Sequence, residues 1–125
     1  EILKEFRRIL KDDGRLFIGV PNIDGLWPKI FGKYWWYFGL PVHTYNYNKI
    51  SISKLLERNG FFIDLVRCNS SYAGLMGSLQ ILTNRRITPR RSTGWLLGSW
   101  ILRIPAHYIS RIADMVGVGD CIEVI

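Results

Sequence analysis

Leu10-Lys11-Asp12-Asp13-Gly14-Arg15-Leu16-Phe17-Ile18-Gly19-Val20-Pro21-Asn22 holds the transition that decides the fold, because a helix stops and a strand begins inside it. Upstream, Ile2, Leu3, Phe6, Ile9 and Leu10 recur at helical spacing on one face, and Lys4, Glu5, Arg7, Arg8 and Lys11 fall on the other. Asp12-Asp13-Gly14 is expected to end that helix, with Gly14 in the left-handed C′ conformation that costs glycine little. Residues 15–20 then form a nearly unbroken apolar run stopped by Pro21, the pattern of a strand covered on both faces. Its carboxyl end, Pro21-Asn22, is where an open α/β sheet places ligand-contacting residues.

Further along, residues 23–47 gather Trp27, Phe31, Tyr34, Trp35, Trp36, Tyr37, Phe38, Tyr45 and Tyr47 around several glycines and two prolines. The spacing is too broken for one helix, so the segment reads as a loop with a short helical piece, folded as a lid. Asn48 is placed to cap a helix over 49–59 that turns Ile52, Leu55 and Leu56 inward and closes at Gly60. Phe61 to Cys68 reads as the next strand. Asn69 to Gly77 reads as a turn-rich connection opening a variable insertion, residues 69–118, with two hydrophobic helices. The first, Thr93 to Arg103, is apolar nearly all round, which predicts burial. It falls short of the roughly 20 apolar residues that span a bilayer, and Arg103 and Pro105 are expected to end it. Pro105 then opens the second helix, in which Ile104, Tyr108, Ile109, Ile112 and Met115 or Val116 share a face and His107 takes the polar side. Gly117-Val118-Gly119 ends that helix, and residues 120–125 form a last, β-branched strand.

A chain of 125 residues with 48% hydrophobic and 14% aromatic content supports one folded domain with a modest core. Glu1 already lies within the first helical pattern, so the chain reads as a partial domain cut inside an element. Cys68 and Cys121 are too few for a disulfide framework and lack metal-ligand spacing, which favours free thiols in a reducing, cytoplasmic setting. The net charge of +7 is unevenly placed: from Leu65 to Ala113 there are seven arginines, no lysine and no acidic residue, while the other ten basic residues are matched by all ten acids. Such a segment attracts phosphates, anionic lipid or nucleic acid. Nucleic acid ranks last of these, since the Arg85 to Arg91 stretch lacks the interleaved aromatics of a single-strand binder.

The Leu10 to Asn22 block, Trp35-Trp36, the run Leu40-Pro41-Val42-His43-Thr44-Tyr45-Asn46-Tyr47 and the helix ending in Asn59-Gly60-Phe61 follow one another over residues 2–61 in an order that resembles the C-terminal half of class I S-adenosylmethionine-dependent methyltransferases. The similarity is to the small-molecule type, including those of ubiquinone biosynthesis. It implies an α/β class and a partial Rossmann-like methyltransferase fold. In the family's seven-stranded sheet of order 3-2-1-4-5-7-6, the three strands here would be the fifth, sixth and seventh. They would form a half-sheet of order 5-7-6 with the last strand antiparallel, flanking helices and a helical insertion. The family holds S-adenosylmethionine with a Gly-rich turn and an acidic residue in its N-terminal half, and neither motif is in this chain. The expectation is therefore a cofactor in the complete parent and none for this chain, which would be inactive alone.

The same resemblance implies a small-molecule methyl acceptor and marks the residues that would meet it. His43 is the candidate general base or substrate-orienting group, since its imidazole titrates near neutral pH; the alternative is a structural histidine tying the lid to the sheet. Asn22 and Tyr45 would orient a substrate hydroxyl, and Trp35 with Trp36 would wall the acceptor, against the plainer reading of lid and core packing. Asp12-Asp13 stands where the family has Pro-Gly, Val42 where it commonly has a basic residue, and Lys49-Ile50 where it has Pro-Glu. The strand edge at 15–20, which the family pairs with its fourth strand, invites self-association. A second function class comes from residues 85–116, whose arginines and hydrophobic helices suit docking on a membrane surface or a protein partner; the alternative is a helical cover packed over the sheet and lid.

Overall fold

Leu10 decides where the first helix ends. It turns to extended backbone with ψ 136° after α1, Ile2–Ile9, so the helix stops ahead of Asp12. Gly14 is not among the left-handed glycines, which are Gly32, Gly60 and Gly117. A turn bond from the Gly14 N–H to the Lys11 carbonyl, at 2.9 Å, reverses the chain in place of the expected C′ glycine. The computed structural model describes residues 1–38, 45–84 and 94–125. Among these the chain is mixed α/β, with six α-helices and one three-stranded antiparallel sheet.

The strands are shorter than the apolar runs that announce them: β1 is Ile18–Pro21, β2 is Val66–Cys68 and β3 is Cys121–Val124. β3 lies between the other two and is antiparallel to both, pairing Ile18 with Val124 and Val20 with Ile122 on one side and Val66 with Val124 on the other. The order in chain numbers is β1-β3-β2, in place of the 5-7-6 numbering that came with the family resemblance and presupposes four further strands. Beyond β2, Leu65 and Ile125 exchange backbone hydrogen bonds at 3.0 and 3.2 Å, extending the ladder by a residue on each strand.

Alternation of side chains across the pleat assigns the faces. Ile122 and Val124 point to the core with Ile52 and Leu56, and Ile18, Val20, Phe61, Ile63 and Val66 pack against them. On the opposite face Gly19 is exposed, and Glu123 pairs with Arg67 at 2.7 Å. Phe17, just before β1, is 63% exposed. The expected strand with both faces covered is thus corrected to one covered on a single face. The core face is capped by α3, Lys49–Arg58, which forms where its sequence signals predict. The Asn48 side chain accepts from the Ser51 N–H, the Ser51 hydroxyl accepts from the Asn48 N–H, and Gly60 takes φ +80° past the helix end.

The aromatic segment after β1 folds into α2, Leu26–Phe31, and two 3-10 turns, Gly32–Tyr34 and Trp36–Phe38, with Trp27 and Trp35 buried. It packs on α4, Tyr72–Asn84, a helix where a turn-rich connection was expected. The two glycines that suggested turns are close-packing positions: a Cβ on Gly74 would fall on the Asp120 carboxylate, and one on Gly77 would enter the Trp36 indole. Tertiary packing overrides helix propensity here.

α5, Trp95–Gly98, and α6, Trp100–Met115, complete the fold. The break falls at Ser99, whose hydroxyl accepts from the Leu102 N–H at 3.5 Å, and not at Arg103-Pro105. Pro105 lies inside α6 with its ring in solvent, so the expected helix start there is also corrected. Nor is the first apolar stretch buried, since Trp95 and Trp100 are 73% and 71% exposed. No described helix is long and apolar enough to cross a membrane.

Candidate functional site

β3 starts where β1 and β2 end, so the antiparallel return brings three distant pieces of chain to one end of the sheet. Asn22 follows β1, Ser70 follows β2, and Asp120 precedes β3. All three are buried. The Asn22 N–H donates to the Asp120 carbonyl at 2.9 Å, and the Asn22 amide donates to the Gly119 carbonyl at 2.7 Å while accepting from the Asp24 N–H at 3.2 Å. Ser70 makes the second link, its hydroxyl donating to Asp114 Oδ1 at 2.6 Å and accepting from the Asp120 N–H at 2.9 Å. Its own N–H donates to Asp114 Oδ2 at 2.9 Å.

The Asp120 carboxyl is the electrostatic centre of this cluster. Trp35 Nε1 donates to its Oδ2 at 3.5 Å, and Oδ1 is buried without a partner. Burial, which penalises the charged form, pushes its pKa from 3.8 up to about 6, against the opposing hydrogen bond of Trp35. The same environment raises its neighbours. Burial first and the nearby Asp120 second push the Cys121 thiol to about 12, and burial together with Cys121 raises the Tyr37 hydroxyl, which lies 3.4 Å from Ser71 Oγ. Cys121 therefore stays a thiol at neutral pH. Among the described residues no group of His, Cys, Asp and Glu is arranged to hold a metal ion.

Of the residues marked by sequence, Asn22 and Trp35 meet in this cluster, both bonded to Asp120. Tyr45 stands apart, 74% exposed on the strand-like approach to Tyr47, whose carbonyl accepts from the Ile23 N–H at 2.9 Å. His43 lies outside the described residues, as do Arg85, Arg86, Arg90 and Arg91. Asp120, Ser70 and Asp114 were not singled out by the sequence. The available signal was an acid placed directly before an apolar β-branched strand, a position that a covered sheet end must bury.

Two clefts lie elsewhere among the described residues. One of about 470 Å³ opens at the amino end of β1 between α1 and the turn after α3, lined by Arg7, Leu10, Arg15, Phe61, Asp64 and Ile125, with Arg15 3.8 Å from Asp64. The other, about 290 Å³, is a shallow surface dish of Tyr72, Arg103, Ile104, His107 and Tyr108. The first sits at the end of the sheet opposite Asn22 and Asp120. Among the described residues the cluster at the carboxyl end of β1 is closed on itself by its own hydrogen bonds, and the wider cleft lies at the amino end of β1. Comparisons of the chain with protein-family models, with curated proteins and with solved structures return no match.

Proposed function

We propose that this chain is the acceptor-side, C-terminal half of an S-adenosylmethionine-dependent methyltransferase that modifies a small molecule in the cytoplasm, and that it neither holds the cofactor nor catalyses by itself. The observation that carries the reading is the placement of the last strand of the sequence between the first two, antiparallel to both. If β1, β2 and β3 are read as the family's fifth, sixth and seventh strands, this is the neighbourhood its sheet requires. The open edge of β1, which among the described residues is bridged only by the Asn22–Tyr47 contact, is then the edge where a fourth strand would pair, and in the isolated chain it is the edge open to a second copy. Asn22 and Trp35, drawn to the carboxyl end of β1, would shape the floor beneath the acceptor, and Tyr45 and His43 would belong to the lid above it.

Isothermal titration of the 125-residue chain with S-adenosylmethionine should give no saturable heat. Saturable binding by this chain alone overturns the assignment. The coding sequence immediately upstream provides the complementary check, and should contain a strand followed by a Gly-rich turn opening a helix.

A further inference from the structure

α6 is amphipathic in the inverted sense. Its buried side is built from the small residues Ala106, Ser110 and Ala113. Its opposite side carries Trp100, Ile104, Tyr108, Ile112 and Met115 into solvent, all more than half exposed. At about 100° per residue these five positions share an arc of roughly 120°. Trp95 of α5, 73% exposed, adds a further indole just before the stripe begins. At roughly 150–250 Å² per aromatic side chain, Trp95, Trp100 and Tyr108 alone leave on the order of 400 Å² of mainly apolar surface in water. The isoleucines and Met115 extend this past the ~300–600 Å² typical of the largest patch on an ordinary monomer.

We propose that this face docks on an anionic lipid surface, with α6 lying in the interfacial plane and its apolar stripe inserted below the headgroups. Charge selects the occupant. Arg103 and His107 border the stripe on one side, Arg111 falls just inside its edge and is paired with Asp114, and the sequence from Leu65 to Ala113, which ends one residue before Asp114, is free of acids. Two copies meeting through α6 would bring two such segments together, and the helix's own carboxylate, Asp114, is buried and already bonded to Ser70 and Arg111, whereas anionic headgroups complement the arginines of both. The aromatic content points the same way, because tryptophan and tyrosine favour the headgroup level, where one end of the ring is apolar and the other wet. Length decides the orientation: sixteen residues make a helix about 24 Å long, which lies along a bilayer and does not span it. The proposal makes no use of the methyltransferase reading and stands or falls separately from it.

The test is co-sedimentation of the full chain with vesicles of phosphatidylcholine alone or mixed with phosphatidylglycerol. Binding to the mixed vesicles is expected, weakened by high salt. The charge-neutral double variant Ile104→Asn/Ile112→Asn should lower the partition coefficient on the order of tenfold or more, given the transfer energy of two isoleucines. Both positions are exposed, so its circular dichroism should match the parent; Met115→Gln, at a still more exposed position, provides a second, independent reduction. Equal binding by parent and variants identifies plain adsorption of a basic protein and overturns the proposal. So does absence of binding to either vesicle. A parent that sediments as a dimer, is dispersed by the double variant and ignores vesicles assigns the face to a second copy and likewise overturns it.

Discussion

Substituting Asp120 by asparagine isolates the energetic consequence of burying a carboxyl at the junction of three chain segments. The group is fully enclosed, and its pKa stands at about 6 in the folded chain against an ordinary 3.8. The folded state therefore holds this proton more tightly than the unfolded one. Its contribution to stability is fully present below about pH 3.8 and is lost as pH rises through 6, a total of about 3 kcal/mol. Of this, about 2 kcal/mol falls between roughly pH 4.5 and 7.5. Asparagine keeps an oxygen for Trp35 Nε1 and the backbone amide that Ser70 accepts from, but it does not titrate. The unfolding free energy of Asp120→Asn minus that of the parent should accordingly climb by about 2 kcal/mol across this window, as measured by urea titration followed through tryptophan fluorescence. Glu5 and Glu123, whose carboxyls are held low by hydrogen bonds from Arg8 and Arg67, bend the absolute curves of both proteins the other way and cancel in the difference. A constant offset from an amide N–H in search of an acceptor leaves the slope unchanged. A difference that is flat with pH would falsify the burial argument.

Gly77→Ala places a methyl group in the Trp36 indole and should destabilise the chain by about 1–3 kcal/mol despite alanine's better helix propensity; thermal melting that instead shows a gain near 1 kcal/mol means that α4 does not pack on this tryptophan. Asn48→Ala removes the side-chain half of the α3 capping box and should cost about 1 kcal/mol in urea unfolding, with Asn48→Asp close to the parent. An alanine variant indistinguishable from the parent would show that the box contributes nothing to the fold.

What could be read from the sequence follows the range of the interactions concerned. α3 was legible from end to end because its cap, its inward residues and its closing glycine are all local signals within thirteen residues of chain, 48–60. β3 and the end of α6 at Gly117 were legible for the same reason. α4 was missed because Gly74 and Gly77 looked like turn residues, and their purpose becomes visible only when Asp120 and Trp36 are brought beside them. The continuity of α6 through Pro105 was missed because a proline near the start of an apolar pattern looks like a first-turn residue, whereas here the ring faces solvent and Ser99 supplies the cap. At the site, the place of Asn22 at a strand end could be read locally, whereas the contact of Trp35 could not, since its N–H reaches a carboxylate 85 residues away in sequence. Asp120, Ser70 and Asp114 depend on contacts spanning 44 and 50 residues, which no periodicity encodes. The same limit governs the direction of α6. An apolar stripe reveals that a helix has two faces and leaves open which of them meets the protein.

That direction is set by polar contacts at the helix flanks more than by burial. Ala106, Ser110 and Ala113 remove little apolar area from water, and at about 25 cal/mol per Å² they cannot by themselves outweigh the exposed stripe as the side that turns inward. The orientation is held instead where α6 meets the β2 exit. Asp114, in its last turn, takes two hydrogen bonds from Ser70, and Arg111 donates to Asn69 at 2.8 Å and to Asp114 at 3.3 Å. One turn from the other end, the Arg103 guanidinium lies 5.3 Å from the centre of the Tyr72 ring and donates to the Leu97 carbonyl at 3.0 Å. Charge-assisted hydrogen bonds and a cation–π contact of this kind have directional requirements that a hydrophobic contact lacks, so they fix the rotation of the helix about its axis. Small inward residues then let α6 approach α4. With rotation fixed by the polar contacts and approach fixed by the small side chains, the large outward side chains Trp100, Ile104, Tyr108, Ile112 and Met115 are left more than half exposed, and it is this face that the vesicle experiment probes.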